Sequence, residues 1–261
     1  MFLKRCLLAA FFSAALIGRS QGAVITEYDL SAVPVTAVDT VAATTSSFAV
    51  TSAPLTRGAG IDPAGLTRGF SANNFSLTGA SVNDAIAANE YFEWGFTVET
   101  GAIVSLTSMD FSLRRSATNG PSNFEVRASL DDFATPGTTV ATFNYLGRSS
   151  GTAPAVVAPF QWMTTDTPGQ GDGNLITPIA LSTVPSLQAI PEGTEVTFRL
   201  YVWGNLTGAA ASNTVALGRQ SATNGPGGPS IQGIVVAIPE PASFVLTLTG
   251  MAGALLVRRR A

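Results

Sequence analysis

Between residues 91 and 130, and again between 194 and 203, apolar side chains return at every second position, and a period of two commits a chain to half-buried β-strands. Phe92, Trp94, Phe96 and Val98 alternate with Tyr91, Glu93, Gly95, Thr97 and Glu99. Thr100-Gly101 turns the chain into Ile103 to Arg115, where Met109, Phe111 and Leu113 alternate with Asp110, Ser112 and Arg114. Past the loop signal Asn119-Gly120-Pro121, Phe124, Val126, Ala128 and Leu130 form the next core face, opposed by Glu125, Arg127 and Ser129, until Asp131-Asp132 ends the run. In Thr194 to Trp203, entered through the turn Pro191-Glu192-Gly193, Val196, Phe198, Leu200 and Val202 face one way, and Thr197, Arg199, Tyr201 and Trp203 the other.

Shorter strand signals fall at Ile25 to Leu30, Thr138 to Tyr145, Phe160 to Thr164, Leu175 to Leu181, Thr214 to Gly218 and Ile231 to Ile238. Val33 to Phe75 is rich in Thr, Ser, Ala and Gly, a composition of edge strands and surface loops. Asn83 to Asn89 is the best helical stretch, and it is only about two turns long. Many short strands between Gly and Pro turns, with almost no helix, predict an all-β, two-sheet sandwich of jelly-roll type.

The two ends of the chain read as addresses. Lys4-Arg5, an apolar core from Cys6 to Ile17, and small residues at Ser20 and Gly22 make residues 1–22 a secretory signal peptide, with cleavage between Gly22 and Ala23. Residues 238–261 open with Pro239-Glu240-Pro241, run without charge from Ala242 to Val257, and close on Arg258-Arg259-Arg260. The apolar run is shorter than the ~20 residues an upright spanning helix prefers, so it can cross a thin bilayer only marginally. The three arginines would stay on the cytoplasmic side, leaving the body, residues 23–237, outside. An ordinary tail anchor is the plain alternative.

What leaves with the addresses limits the chemistry of the body. The only Cys and the only Lys, Cys6 and Lys4, lie in the leader, and the chain has 0 His. Ser-His-Asp triads, thiol nucleophiles, Schiff-base and P-loop lysines and His-based metal sites are therefore excluded from a body beginning at Ala23. Carboxylate acid–base work and oxygen-ligand ions remain. The body keeps eight arginines against sixteen acids, an acidic balance that repels nucleic acid and anionic headgroups.

The Pro-Glu-Pro box, the short apolar stretch and the terminal Arg cluster, in that order, closely resemble the PEP-CTERM sorting signal of exopolysaccharide-producing Gram-negative bacteria. The resemblance implies recognition by an exosortase, a membrane-embedded processing enzyme, and removal or transfer of the tail near the box. It also implies passage through the inner membrane, with the protein held there by its C-terminal helix until it is processed. The body resembles, less closely, the β-sandwich domains that precede this signal in Verrucomicrobia and Planctomycetes proteins. That likeness rests on Tyr91 to Val98, Met109 to Leu130 and Val196 to Gly204, and it brings no activity with it. Such proteins often carry an Asp in the last strand, whereas this chain has Ser230-Ile231-Gln232-Gly233.

Several residues invite a site. Glu90, Glu93 and Glu99 flank Trp94, a glycosidase-like grouping, yet Glu93 and Glu99 stand roughly 20 Å apart at strand rise, beyond the ~5–10 Å that paired carboxylates need. The Glu-x-Asp-x-x-Glu pattern of laminarinase-like hydrolases is begun by Glu27-Tyr28-Asp29 and broken by Ala32. All three glutamates are therefore read as solvated surface groups, and Trp94 and Trp162 as core aromatics. Asp131-Asp132 and the Asp166 to Asn174 loop offer oxygen ligands to calcium, the one cofactor left open, but turn capping is the commoner use of such residues. Ser-Ala-Thr-Asn-Gly-Pro occurs at Ser116 to Pro121 and again at Ser221 to Pro226, and neither copy carries the ligands of a known site.

Arg199, Tyr201 and Trp203 lie on the outward side of their strand, where aromatic rings can stack on sugar faces and a guanidinium can meet uronates. A covering loop that turns them into a small satellite cluster is the bland alternative. The reading as a whole is a non-catalytic surface or matrix protein, structural or bound to exopolysaccharide, with no nucleic-acid partner. A carboxylate-dependent glycoside hydrolase is the alternative.

Overall fold

The computed structural model describes residues 22–77, 80–115, 121–144, 174–204, 214–218 and 227–238. Its strands are β1 Ala23–Asp29, β2 Thr45–Ser46, β3 Val50–Arg57, β4 Asp62–Ala64, β5 Gly69–Asn73, β6 Tyr91–Val98, β7 Ala102–Asp110 and β8 Ser112–Arg115, followed by β9 Asn123–Ser129, β10 Thr138–Asn144, β11 Asn174–Leu175, β12 Ile179–Ala180, β13 Glu195–Trp203, β14 Val215–Gly218 and β15 Gly227–Ala237. Among the described residues one α-helix, α1, spans Val82–Ala88, and a 3-10 turn spans Pro185–Leu187. None of the described helices is long and apolar enough to cross a membrane.

All strand pairs are antiparallel, in three sheets ordered β12-β7-β15-β1-β2, β10-β9-β13-β6-β3 and β11-β8-β14-β5-β4. The first and third sheets lie in line. β7 passes into β8 through Phe111 alone, β15 and β14 pair with those two strands in turn, and β1 and β5 pair with β15 and β14. Phe111, at the junction, reaches across to the remaining sheet, with its ring 5.8 Å from Trp94 of β6 and 6.5 Å from Phe143 of β10. Trp94 in turn stacks on Phe198 of β13, and Phe124 on Phe143. The arrangement is sandwich-like, with one continuous core filled by the alternating residues read from the sequence, Phe92, Trp94, Phe96, Val196, Phe198 and Leu200 among them.

Polar side chains tie the faces together. Tyr28 of β1 crosses the core and donates its hydroxyl to the Ala53 carbonyl of β3 at 2.5 Å, with the Gly95 carbonyl of β6 at 3.3 Å. It meets β3 where the β3–β6 register shifts between Ala53 and Thr56. Arg57 of β3 lies over the Phe70 ring and donates to the carbonyls of Ser71 and Val38, so the rim of one sheet is fastened to β5 of another. α1 begins with a capping box in which Ser81 and Asp84 satisfy each other's backbone N–H groups, and it ends on Asn89 in the left-handed region at φ 58°.

Three expectations need correction. Val33 to Phe75 holds more than edges and loops: β5 is an inner strand between β14 and β4, and its residues Gly69 to Ala72 are buried. Leu130, read as a core position, is 38% exposed because β9 ends at Ser129 and the chain turns outward there. Leu175 to Leu181 is two short strands rather than one. Phe160 to Thr164, Trp162, the Asp166 to Gly173 part of its loop, the repeated hexapeptide apart from Pro121, the leader before Gly22 and the tail from Pro239 lie outside the described residues.

Candidate functional site

The strand pattern that buries Val196, Phe198, Leu200 and Val202 turns Arg199, Tyr201 and Trp203 to the opposite face of the same sheet. Register then decides their neighbours. Arg199 stands between Glu93 of β6 and Arg127 of β9, Tyr201 between Tyr91 and Glu125, and Trp203 beside Asn123. Two like charges directly opposite each other would destabilise the pair of strands, and each is offset by its own acid. Arg199 Nε donates to Glu93 Oε2 at 2.6 Å, and Arg127 Nε to Glu125 Oε1 at 2.5 Å. Glu125 accepts further bonds from the Thr139 and Thr142 hydroxyls of β10.

Aromatic rings close over this network. The Arg199 guanidinium lies 4.2 Å from the Tyr91 ring centre and 4.1 Å from that of Phe133, held between two π faces. Burial alone would lower its pKa, but the hydrogen bond and charge of Glu93 raise it, so the cation is permanent. Burial raises the Tyr91 hydroxyl. Tyr201 makes edge contacts with both Tyr91 and Phe133 and is only 2% exposed.

Phe133 reaches this position through an unusual turn. Asp132 and Phe133 are consecutive left-handed residues, at φ 51° and 58°, and each non-glycine residue there costs roughly 1 kcal/mol or more. The Ser129 hydroxyl offsets the strain by accepting the N–H groups of Asp131 and Phe133. Asp131 takes the hydroxyls of Ser129 and Thr135, which hold its carboxyl below the usual carboxylate pKa. Asp131 thus acts within its own turn, and no group of three or more His, Cys, Asp or Glu suited to a metal ion occurs among the described residues.

The three predicted contact residues therefore share one face but not one environment. Arg199 is clamped, Tyr201 lies beneath the Phe133 loop and does not present a free ring as expected, and Trp203 is partly exposed at the end of the strand. Phe133 was missed by the alternation pattern because it belongs to a turn. The available signal was Ser129-Leu130-Asp131, where a hydroxyl and a carboxylate two residues apart favour a side-chain-capped turn.

The glutamates are dispersed. Glu90, read as solvated, is 3% exposed and accepts both the N–H and the hydroxyl of Ser76. Glu99 is exposed at the far end of β6 and accepts from Thr51. Glu93 and Glu125 are separated by two strand spacings and two residues, about 12 Å between backbones. No protein-family model, curated protein or solved structure matches the chain.

Proposed function

We propose that this is an exported surface or matrix protein whose body is a two-layer, jelly-roll-like sandwich without catalytic activity, and whose tail is processed by an exosortase. The reading is carried by the ordered Pro239-Glu240-Pro241 box, apolar run and Arg258 to Arg260 cluster. The body supports it in two ways. The in-line sheets suit a two-layer sandwich, and the outward carboxylates Glu93 and Glu125 are engaged by arginines rather than poised as an acid and a base. Residues 1–22 are its leader, and the finished protein resides on the outer surface or in the extracellular matrix.

Processing tests the sorting part. The intact mass of the native protein is expected to lack residues 1–22 and the Arg258 to Arg260 cluster. Deleting the exosortase, or changing Glu240→Ala, should leave the tail uncut and the protein in the membrane fraction. Retention of the three arginines in an exosortase-positive cell would show that the tail is only an anchor.

Exopolysaccharide is the proposed partner of the body, contacted by Trp203, with Tyr201 and Arg199 two and four residues back on the same strand face. Trp203→Ala should lose retention on the producing strain's own matrix while the melting temperature moves by no more than a few degrees. Robust release of reducing ends from that matrix, abolished by a single Glu→Gln change, would instead establish the hydrolase alternative.

A further inference from the structure

The end of the sandwich from which the tail departs carries apolar groups that the core does not use. Phe48 is 84% exposed, Val236 54% and Ile238 41%. Phe48 occupies the tip of a turn closed by the Val50 N–H on the Ser47 carbonyl, a place where polar residues and glycine are usual. The Ala49 carbonyl accepts from Glu99 N–H at 2.8 Å, and the Gly101 carbonyl accepts from Ile238 N–H at 2.8 Å. Phe48 and Ile238 therefore hang from the two ends of one short turn, Glu99 to Gly101, at the edge of the body.

Chain length then sets a limit. Ala242, where the uncharged run begins, is four residues beyond Ile238, and four residues reach at most about 14 Å. The headgroup layer on each side of a bilayer is roughly 5–8 Å thick. Sixteen helical residues, 242–257, would rise only about 24 Å, about 6 Å short of a hydrocarbon core about 30 Å thick. A membrane that holds them therefore takes up nearly all of that four-residue reach and brings the tail end of a body pinned at Ile238 onto the headgroups. Exposed carboxylates at the same end, Glu99, Glu192 and Glu195, disfavour anionic lipid and leave apolar insertion as the attraction.

Building on the tail reading above, we infer that Phe48, Val236 and Ile238 form a lipid-contacting foot, which sits on the outer leaflet before processing and is uncovered when the tail is cut. An aromatic ring at the headgroup level is well placed for this, being apolar in body and tolerant of the interface. Once the tail is cut, three isolated side chains have too little apolar area to keep the body bound, so release follows.

The test uses residues 23–261, the chain after loss of its leader and free of cysteine, with a single reporter cysteine, either Phe48→Cys or, at the exposed helix, Ala87→Cys, each carrying an environment-sensitive fluorophore. The chains are reconstituted in phosphatidylcholine vesicles containing a lipid with a nitroxide high on its acyl chain. Vesicle flotation together with several-fold stronger quenching at residue 48 than at residue 87 is the expected result. Flotation without quenching at 48 would overturn the foot and leave the tail reading standing. Failure to float would remove the membrane role of the tail, and the foot with it. A blue-shifted but unquenched probe at 48 whose signal grows with protein density would mean that a second copy covers this end, which also overturns the inference.

Discussion

Gly95→Ala is expected to destabilise the fold by roughly 3 kcal/mol, near the upper end of what overpacking usually costs. Gly95 lies in β6 with β13 on one side and β3 on the other, opposite Thr197 and Ala53. A Cβ there would come within 2.2 Å of the Val196 carbonyl oxygen and 3.2 Å of the Thr197 Cα. Both obstacles are backbone, so no rotamer change relieves the clash. The strands must spread, lengthening ladder bonds in the sheet that carries most of the aromatic core. For a body of this size the loss corresponds to a fall in melting temperature of about 6–12 °C. Gly101→Ala is the control: its Cβ meets nothing within 4 Å, and only its φ of 80° is unfavourable, at about 1 kcal/mol. Denaturant midpoints of the two variants measure the difference, and equal, small losses would show that β6 and β13 separate freely.

The second expected result concerns the hydroxyl that bridges the layers. Burial pushes Tyr28 up to about 12, and its hydroxyl donates to the Ala53 and Gly95 carbonyls. A raised acid is held neutral in the folded protein. Its contribution is complete below pH 10, where folded and unfolded forms are both protonated, and is lost as pH climbs from about 10 to 12, where only the unfolded chain ionises. Two pH units correspond to about 2.7 kcal/mol. Tyr28→Phe removes this alkaline loss and in exchange costs about 1–2 kcal/mol at neutral pH, because the Ala53 carbonyl loses its short partner inside the core. Arg57, lowered to about 10 by burial against the pull of Asp39, acts in the opposite sense. It is present in both proteins, so the difference between their stability–pH curves isolates Tyr28. Parallel curves from pH 9 to 12 would mean that water reaches the hydroxyl.

How much of this was legible beforehand depends on whether the information is local. Alternation in Tyr91 to Glu99 and Thr194 to Trp203 names β6, β13 and their buried faces, because side chains on a strand must point to opposite sides of the sheet. The helix was legible within one residue at each end, since Ser81, Asp84 and Asn89 are caps that act inside one segment. The Pro239-Glu240-Pro241 box, apolar run and Arg258 to Arg260 cluster on which the proposed sorting rests, and the absence of His, Cys and Lys from residues 23–237, are likewise features of the sequence alone.

Register and long-range contact were not legible. That β7 breaks at Phe111, and that β14 and β15 share a path beside β8 and β7, depends on pairings more than a hundred residues apart, which no periodicity encodes. Alternation correctly turned Tyr201 outward, but outward is not exposed: a turn near residue 133, strained at Asp132 and Phe133 and held by the Ser129 hydroxyl, lays a ring over it. Glu90 is a carboxylate four residues before Trp94 in sequence and a buried acceptor for Ser76 in space. The chain's own chemistry determines which faces are apolar and which groups are available. Only the folded structure decides which of them meet, because contact free energy belongs to pairs of residues, and the tertiary fold selects the pairs.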